Sequence, residues 1–191
     1  MDDYHPTNIC FDKETVLLKL QRLQPDKSQG PDGLNPKLLK ECAESVAVPL
    51  AEIFQISLDE GQLPTDWKLA DVIPIFKKGS KVDSSNHRPV SLTSVSCEVM
   101  ESIIRDHIQS FLHSNNIISD SQHVFRQRRS CLTNLLETFE EWTKAVDEGY
   151  GLDVIYLDYR KAFDTVPHGR LLQKLKACGI NDKPLEWIKD F

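Results

Sequence analysis

Hydrophobic positions recur at helical spacing along most of this chain and condense into extended runs in three short places. Residues 12–24 put Val16, Leu17, Leu20 and Leu23 on one side, which predicts an amphipathic helix broken by Pro25. A turn-rich stretch, residues 28–33, comes next. Asn35-Pro36 then supplies a capping residue with proline at the first helical position, the start of a second helix. A third helix is expected from Pro49 to Gly61, with Leu50, Ile53, Phe54 and Leu58 at helical spacing.

The period changes at Leu69. Residues 70–76 read as a strand, and Pro74 within it suits an edge position or a bulge. A polar loop over 77–87 leads to a second extended piece, 88–92, so the pair predicts a hairpin. Residues 95–112 are the clearest helix, with Val99, Met100, Ile103, Ile104, Ile108 and Phe111 in one stripe. After a loop over 115–129, Ser130 can cap a long helix carrying Leu132, Leu135, Leu136, Phe139, Trp142 and Val146, ended by Gly149. Residues 153–159, rich in Val, Ile and Tyr, predict a third strand. Two short helices close the chain, one over 169–177 and one starting near Asp182. A lone apolar strand needs neighbours, and the sequence supplies none after it, which raises the expectation of a truncated domain.

Composition narrows the class without deciding it. In 191 residues, 40% are hydrophobic and 27% charged, enough for a packed core of one domain or two subdomains. No run approaches the length of a membrane helix, and the start, Met1-Asp2-Asp3-Tyr4-His5, lacks the order of a signal peptide. Five widely spaced cysteines without a C-x-x-C argue against a disulfide framework or a structural zinc, and favour a reducing, intracellular compartment, nucleus or cytoplasm. The net charge of −6 argues against nucleic-acid binding only if the cations are spread evenly. They are not. Lys77, Lys78, Lys81 and Arg88 face only Asp83 in one loop, and Arg126, Arg128 and Arg129 share another with no acid. Either loop alone reads as a solvated surface; two lining one cleft would suit phosphates, with Phe125 to stack on a base.

Asp158 ends the apolar run 154–157. A lone aspartate there commonly serves a turn or cap, as Asp164 can for the turn that follows. The alternative is a ligand for a hard cation such as Mg²⁺, which one carboxylate cannot hold as a two-metal site.

Four segments, in order, resemble the reverse transcriptases of non-LTR retrotransposons of the jockey and chicken-repeat type. They are Lys27-Ser28-Gln29-Gly30-Pro31-Asp32-Gly33; Asn86-His87-Arg88-Pro89-Val90-Ser91-Leu92-Thr93; Ser121-Gln122-His123-Val124-Phe125-Arg126-Gln127-Arg128-Arg129-Ser130; and Tyr156-Leu157-Asp158-Tyr159-Arg160-Lys161-Ala162-Phe163-Asp164. The resemblance implies an α+β, mostly helical fold, the fingers and partial palm of a right-hand polymerase. Residues 1–68 would be an N-terminal extension, 69–150 the fingers and 151–191 the start of the palm. The implied function is RNA-directed DNA synthesis with two Mg²⁺ ions, on an RNA template and a DNA primer, from deoxynucleoside triphosphates.

By the same resemblance, Asp158 matches a catalytic aspartate that ligates both ions, with the Tyr159 carbonyl facing the second. Lys77 and Arg88 match triphosphate-holding residues. Phe163 matches the bulky residue under the incoming sugar that selects deoxynucleotides, and Gln122, Phe125 and Arg126 fall in a segment near the template. Three positions depart from the pattern. Val124 and Arg128 stand where the family usually carries glycine, and His87 replaces an aromatic. If either glycine serves a positive φ, its replacement strains the loop. No F-A-D-D or Y-x-D-D occurs, so the chain alone is expected to be inactive. The other class of reading is a non-catalytic relic or a co-opted nucleic-acid-binding module.

Overall fold

The computed structural model of the chain describes residues 9–126, 128–159 and 162–191; the first eight residues, and Gln127, Arg160 and Lys161 in the segments above, lie outside it. Among the described residues there are seven α-helices and one β-hairpin, a mixed helix-and-strand fold in which helix dominates.

Short polar side chains set most helix starts. Asp12 accepts from the Thr15 N–H at 2.7 Å ahead of α1 (Lys13–Gln21). Asn35 accepts from Lys37 N–H at 2.8 Å ahead of α2 (Pro36–Glu41), with Pro36 in the first turn, where its missing N–H costs nothing. α3 spans Ala43–Glu60 and stops at Gly61, whose φ of 63° favours glycine. Pro49, expected to open this helix, lies inside it. The buried stripe begins earlier than the leucines suggest because Ala43, Ala47 and Ala51 belong to it, ahead of Phe54 and Leu58. The proline forgoes one hydrogen bond without ending the helix.

Ser94 caps α4 (Val95–Ser114), and Ser130 with Thr133 forms a reciprocal capping box on α5 (Cys131–Asp147). The last two helices are α6 (His168–Ala177) and α7 (Asp182–Asp190). Strands β1 (Asp71–Phe76) and β2 (His87–Leu92) pair antiparallel, with Pro74 opposite Pro89. Lys77 N–H donates to Asn86 O at 2.8 Å, and hydrogen-bonded pairs alternate from there. The two prolines therefore meet at a non-hydrogen-bonded pair, where neither N–H is missed.

The core lies between α1, α3, α4 and α7. Phe54 sits at its centre, wholly buried, with Phe11 and Trp67 packed edge-on at 5.5 and 5.7 Å between ring centres. α7 closes it from the far end of the chain. Trp187 is buried and donates from Nε1 to Ser57 Oγ at 3.1 Å, and Asp190 accepts from Leu63 N–H and Lys68 Nζ at 2.8 and 2.7 Å. Gly30, in the first of the four segments, lies flat against the link between β2 and α4. A Cβ there would stand 2.3 Å from Thr93 O, so only glycine fits.

Two expectations change. Residues 153–159 take no strand: β1 and β2 pair only with each other, and the run joins neither of their open edges. Their side chains are exposed instead, Ile155, Tyr156 and Leu157 each about four-fifths so. α5 forms as predicted, yet none of its residues is buried, and Leu132, Leu135, Leu136 and Phe139 face outward.

Candidate nucleotide and nucleic-acid site

The basic hairpin owes its shape to its turn. Asp83 accepts from the Ser85 N–H at 2.9 Å, and Asn86 Nδ2 donates to Ser80 O at 3.0 Å. Ser85's hydrogen bonds hold the Asp83 carboxyl below its ordinary range, so it stays anionic and keeps the turn closed. Gly79, at φ 89°, passes so near Asn86 that a Cβ would meet Nδ2 at 2.7 Å. Because Phe76 pairs with His87 and Ile75 with Arg88, Lys77 emerges on the same face as Arg88. They are diagonal neighbours, a relation that spans about 7–8 Å in an antiparallel pair. Both side chains are exposed. Phe76 and His87 pack on the opposite face, with ring centres 5.5 Å apart and Lys81 Nζ 5.7 Å from the Phe76 ring.

The loop before α5 is held from below by a histidine of the third segment. His123 is buried, with Nδ1 2.9 Å from Thr133 Oγ1 and Nε2 3.0 Å from Glu137 Oε2. Thr133 and Glu137 are four residues apart, so one turn of α5 presents both to the loop. Arg129 pairs with the same Glu137. Partial burial alone would raise that carboxyl, but the hydrogen bonds from Arg129 and His123 win and hold it low. Arg126 Nη1 donates to Ser119 O at 2.8 Å and lies 3.4 Å from Asp120. Two of the three arginines that read as an acid-free cluster thus have acidic partners, one from each side of the loop. The i, i+4 spacing of Thr133 and Glu137 behind a capping serine was the available signal.

Phe125 and Arg128 both adopt a positive φ, 59° and 61°. The strain expected where glycine is replaced is real at Arg128, while Val124 takes no positive φ and is unstrained on that account. Gln109 of α4 donates to Phe125 O at 3.2 Å. Together these bends form a cleft of about 420 Å³ lined by Gln109, His113, Phe125, Arg126, Arg128 and Arg129. Gln122 is exposed, its amide 3.4 Å from Val124 O.

Asp158 and Tyr159 are exposed on the segment without regular structure. Phe163 is also exposed, and its ring meets that of Phe125 edge-on, so the structure brings together the loop and the turn after Asp158. Among the described residues no three His, Cys, Asp or Glu side chains cluster as a metal site. The donors present, one carboxylate and one adjacent carbonyl, do not make a site for two Mg²⁺ ions.

A hairpin with two cations on one face, and an arginine-lined cleft carrying an exposed aromatic, each have the chemistry to meet phosphate esters or bases. Residues 75–191, more than half of the chain, match the family described as reverse transcriptase (RNA-dependent DNA polymerase). The chain belongs to that family. It is 27% identical over 164 residues to a probable RNA-directed DNA polymerase from transposon BS of Drosophila melanogaster. It is 29% identical over 164 residues to the RNA-directed DNA polymerase from mobile element jockey of the same species. In both, 85% of this chain is covered. A Pol polyprotein from the type-1 retrotransposable element R2 of Popillia japonica is 27% identical over 136 residues, 70% of this chain. The chain spans 18% of the length of each of these relatives. No described helix is long and apolar enough to cross a membrane.

Proposed function

We propose that the chain is the nucleotide-gripping and template-guiding part of an RNA-directed DNA polymerase of a non-LTR retrotransposon. Residues 69–150 act as fingers, 151–191 as the start of the palm, and 1–68 as an extension. The observation that carries this reading is the shared face of Lys77 and Arg88 on the hairpin. Two cations fixed on a paired scaffold neutralise a triphosphate with little ordering cost, which is how positioning and charge contribute to nucleotidyl transfer. Phe163 excludes a 2′-hydroxyl from the incoming sugar, and Gln122, Phe125 and Arg126 guide an RNA template toward it, opposite a DNA primer. Asp158, with the Tyr159 carbonyl, supplies part of a Mg²⁺ site that further carboxylates must complete.

A second reading, a non-catalytic relic or a co-opted nucleic-acid-binding module, is favoured by one observation: Arg128 holds a strained φ where the family pattern has glycine. Equilibrium binding of a fluorescent deoxynucleoside triphosphate to the 191-residue chain tests the first. Lys77→Ala with Arg88→Ala should weaken binding at least about tenfold, since each hydrogen bond from a charged group contributes roughly 1.5–3 kcal/mol. Equal affinity for the double variant would overturn the assignment of the hairpin.

A further inference from the structure

Arg128 differs from its two neighbours in what it is bonded to. Arg126 is tied to Ser119 O and Asp120, and Arg129 to Glu137, and the side chains of both are largely covered. Arg128 makes no ion pair with any described residue, is exposed, and borders the cleft between the loop and α4. Its backbone stands at φ 61°, a conformation that strains an L residue with a side chain and that glycine adopts freely. A strained, unpaired cation beside a cleft is an expensive arrangement unless the charge is used.

Exposed beside it is Phe125, 72% accessible, with its backbone fixed by the Gln109 amide. A group for phosphate and a group for a base thus line one cleft. A duplex keeps its bases stacked and offers such a ring nothing, whereas a single strand offers both phosphate and an open base face. We propose that Arg128 is a phosphate contact for single-stranded nucleic acid lying in this cleft, an affinity device of this chain beyond the family's glycine. The inference rests on the nucleic-acid reading above and names the one arginine of the three whose charge is free for the strand.

The test uses the 191-residue chain and a labelled single-stranded RNA 12-mer, with anisotropy read from low to moderate salt. Arg128→Gly should weaken binding and make the slope of log K against log [salt] shallower by about 0.7, the value for one phosphate on a single strand. Arg128→Lys should keep the slope. Thermal unfolding separates site from scaffold: Arg128→Gly should unfold at the same or a higher temperature, because strain is relieved. A free deoxynucleoside triphosphate shares the phosphate chemistry, and its affinity should be unchanged in Arg128→Gly. An unchanged RNA slope, equal losses in the lysine and glycine variants, a fall in unfolding temperature, or a loss confined to the free triphosphate would each overturn the proposal. If the slope is unchanged while the Lys77/Arg88 variant still loses triphosphate affinity, this inference fails and the hairpin assignment stands.

Discussion

Phe125 and Phe163 meet edge to face, their ring centres 6.4 Å apart and their planes at 84°. One lies in the loop before α5 and the other in the turn after Asp158, so this contact ties the arginine-bearing loop to the segment proposed to meet the incoming sugar. The edge-to-face geometry is the favoured one for two quadrupoles and contributes about 0.5–1.5 kcal/mol beyond area burial.

That position of Phe163 is testable in a longer polypeptide. Setting this chain in place of the matching part of the jockey-element polymerase gives a chimera to assay. Phe163→Val should raise incorporation of ribonucleotides relative to deoxynucleotides by about tenfold, since relief of an overpacked contact gives back roughly 1–3 kcal/mol. An unchanged ratio of the two kcat/KM values would mean that Phe163 is only a partner for Phe125.

Trp187 joins the last helix to the third, burying its ring and donating to Ser57. Trp187→Ala should cost about 3–5 kcal/mol in urea unfolding, because a large ring leaves a cavity and Ser57 loses a donor. A loss under about 1 kcal/mol would mean that α7 does not close the core in solution.

Acid should loosen the same junction. Asp190 is held below the ordinary carboxylate value of 3.8 by the Lys68 hydrogen bond and then the Leu63 N–H, and Asp59 by Lys183 and then Gln55. The folded carboxyls are harder to protonate than the unfolded ones, so the unfolded chain binds more protons as pH falls. Their contribution is complete above the ordinary carboxylate range and is lost as pH drops through the lowered folded values. The urea midpoint should therefore fall from about pH 5 to pH 3, and less steeply in Asp190→Asn. Parallel pH profiles for the two proteins would contradict this.

Local chemistry carried much of the fold. Ser130, Asn35 and Gly61 mark helix ends through side chains or a backbone freedom readable one residue at a time, and the hairpin follows from two extended runs around a polar turn. What needs distant partners was not legible in the same way. The buried alanines that carry α3 past Pro49 are defined only by the helices packed on them, and the run 153–159 has strand composition but lies unpaired and exposed. In the candidate site, Lys77 and Arg88 share a face as hairpin pairing dictates. The arginine loop is acid-free only in sequence, because its partners Asp120 and Glu137 lie just outside it and reach it through the fold.

Gly30 offers a sharp check on the packing of the first segment. Gly30→Ala drives a methyl group into the Thr93 carbonyl, where backbone cannot step aside, and should destabilise by about 1–3 kcal/mol or more. Gly33, which has open space around its Cβ position, should tolerate alanine better, losing only what its φ of 69° costs. Equal losses at the two sites, measured by thermal unfolding, would show that the segment does not sit against the head of α4.

Asp158 decides whether this chain carries working parts of an RNA-directed DNA polymerase. In the chimera, deoxynucleotide incorporation on an RNA template should survive the exchange. Asp158→Asn, which keeps size and hydrogen bonding but removes the charge, should then abolish nearly all of it, with the unfolding temperature unchanged. An Asp158→Asn chimera that polymerises at the parental rate would rule out a catalytic role here and leave Asp158 as an aspartate that merely ends an apolar run.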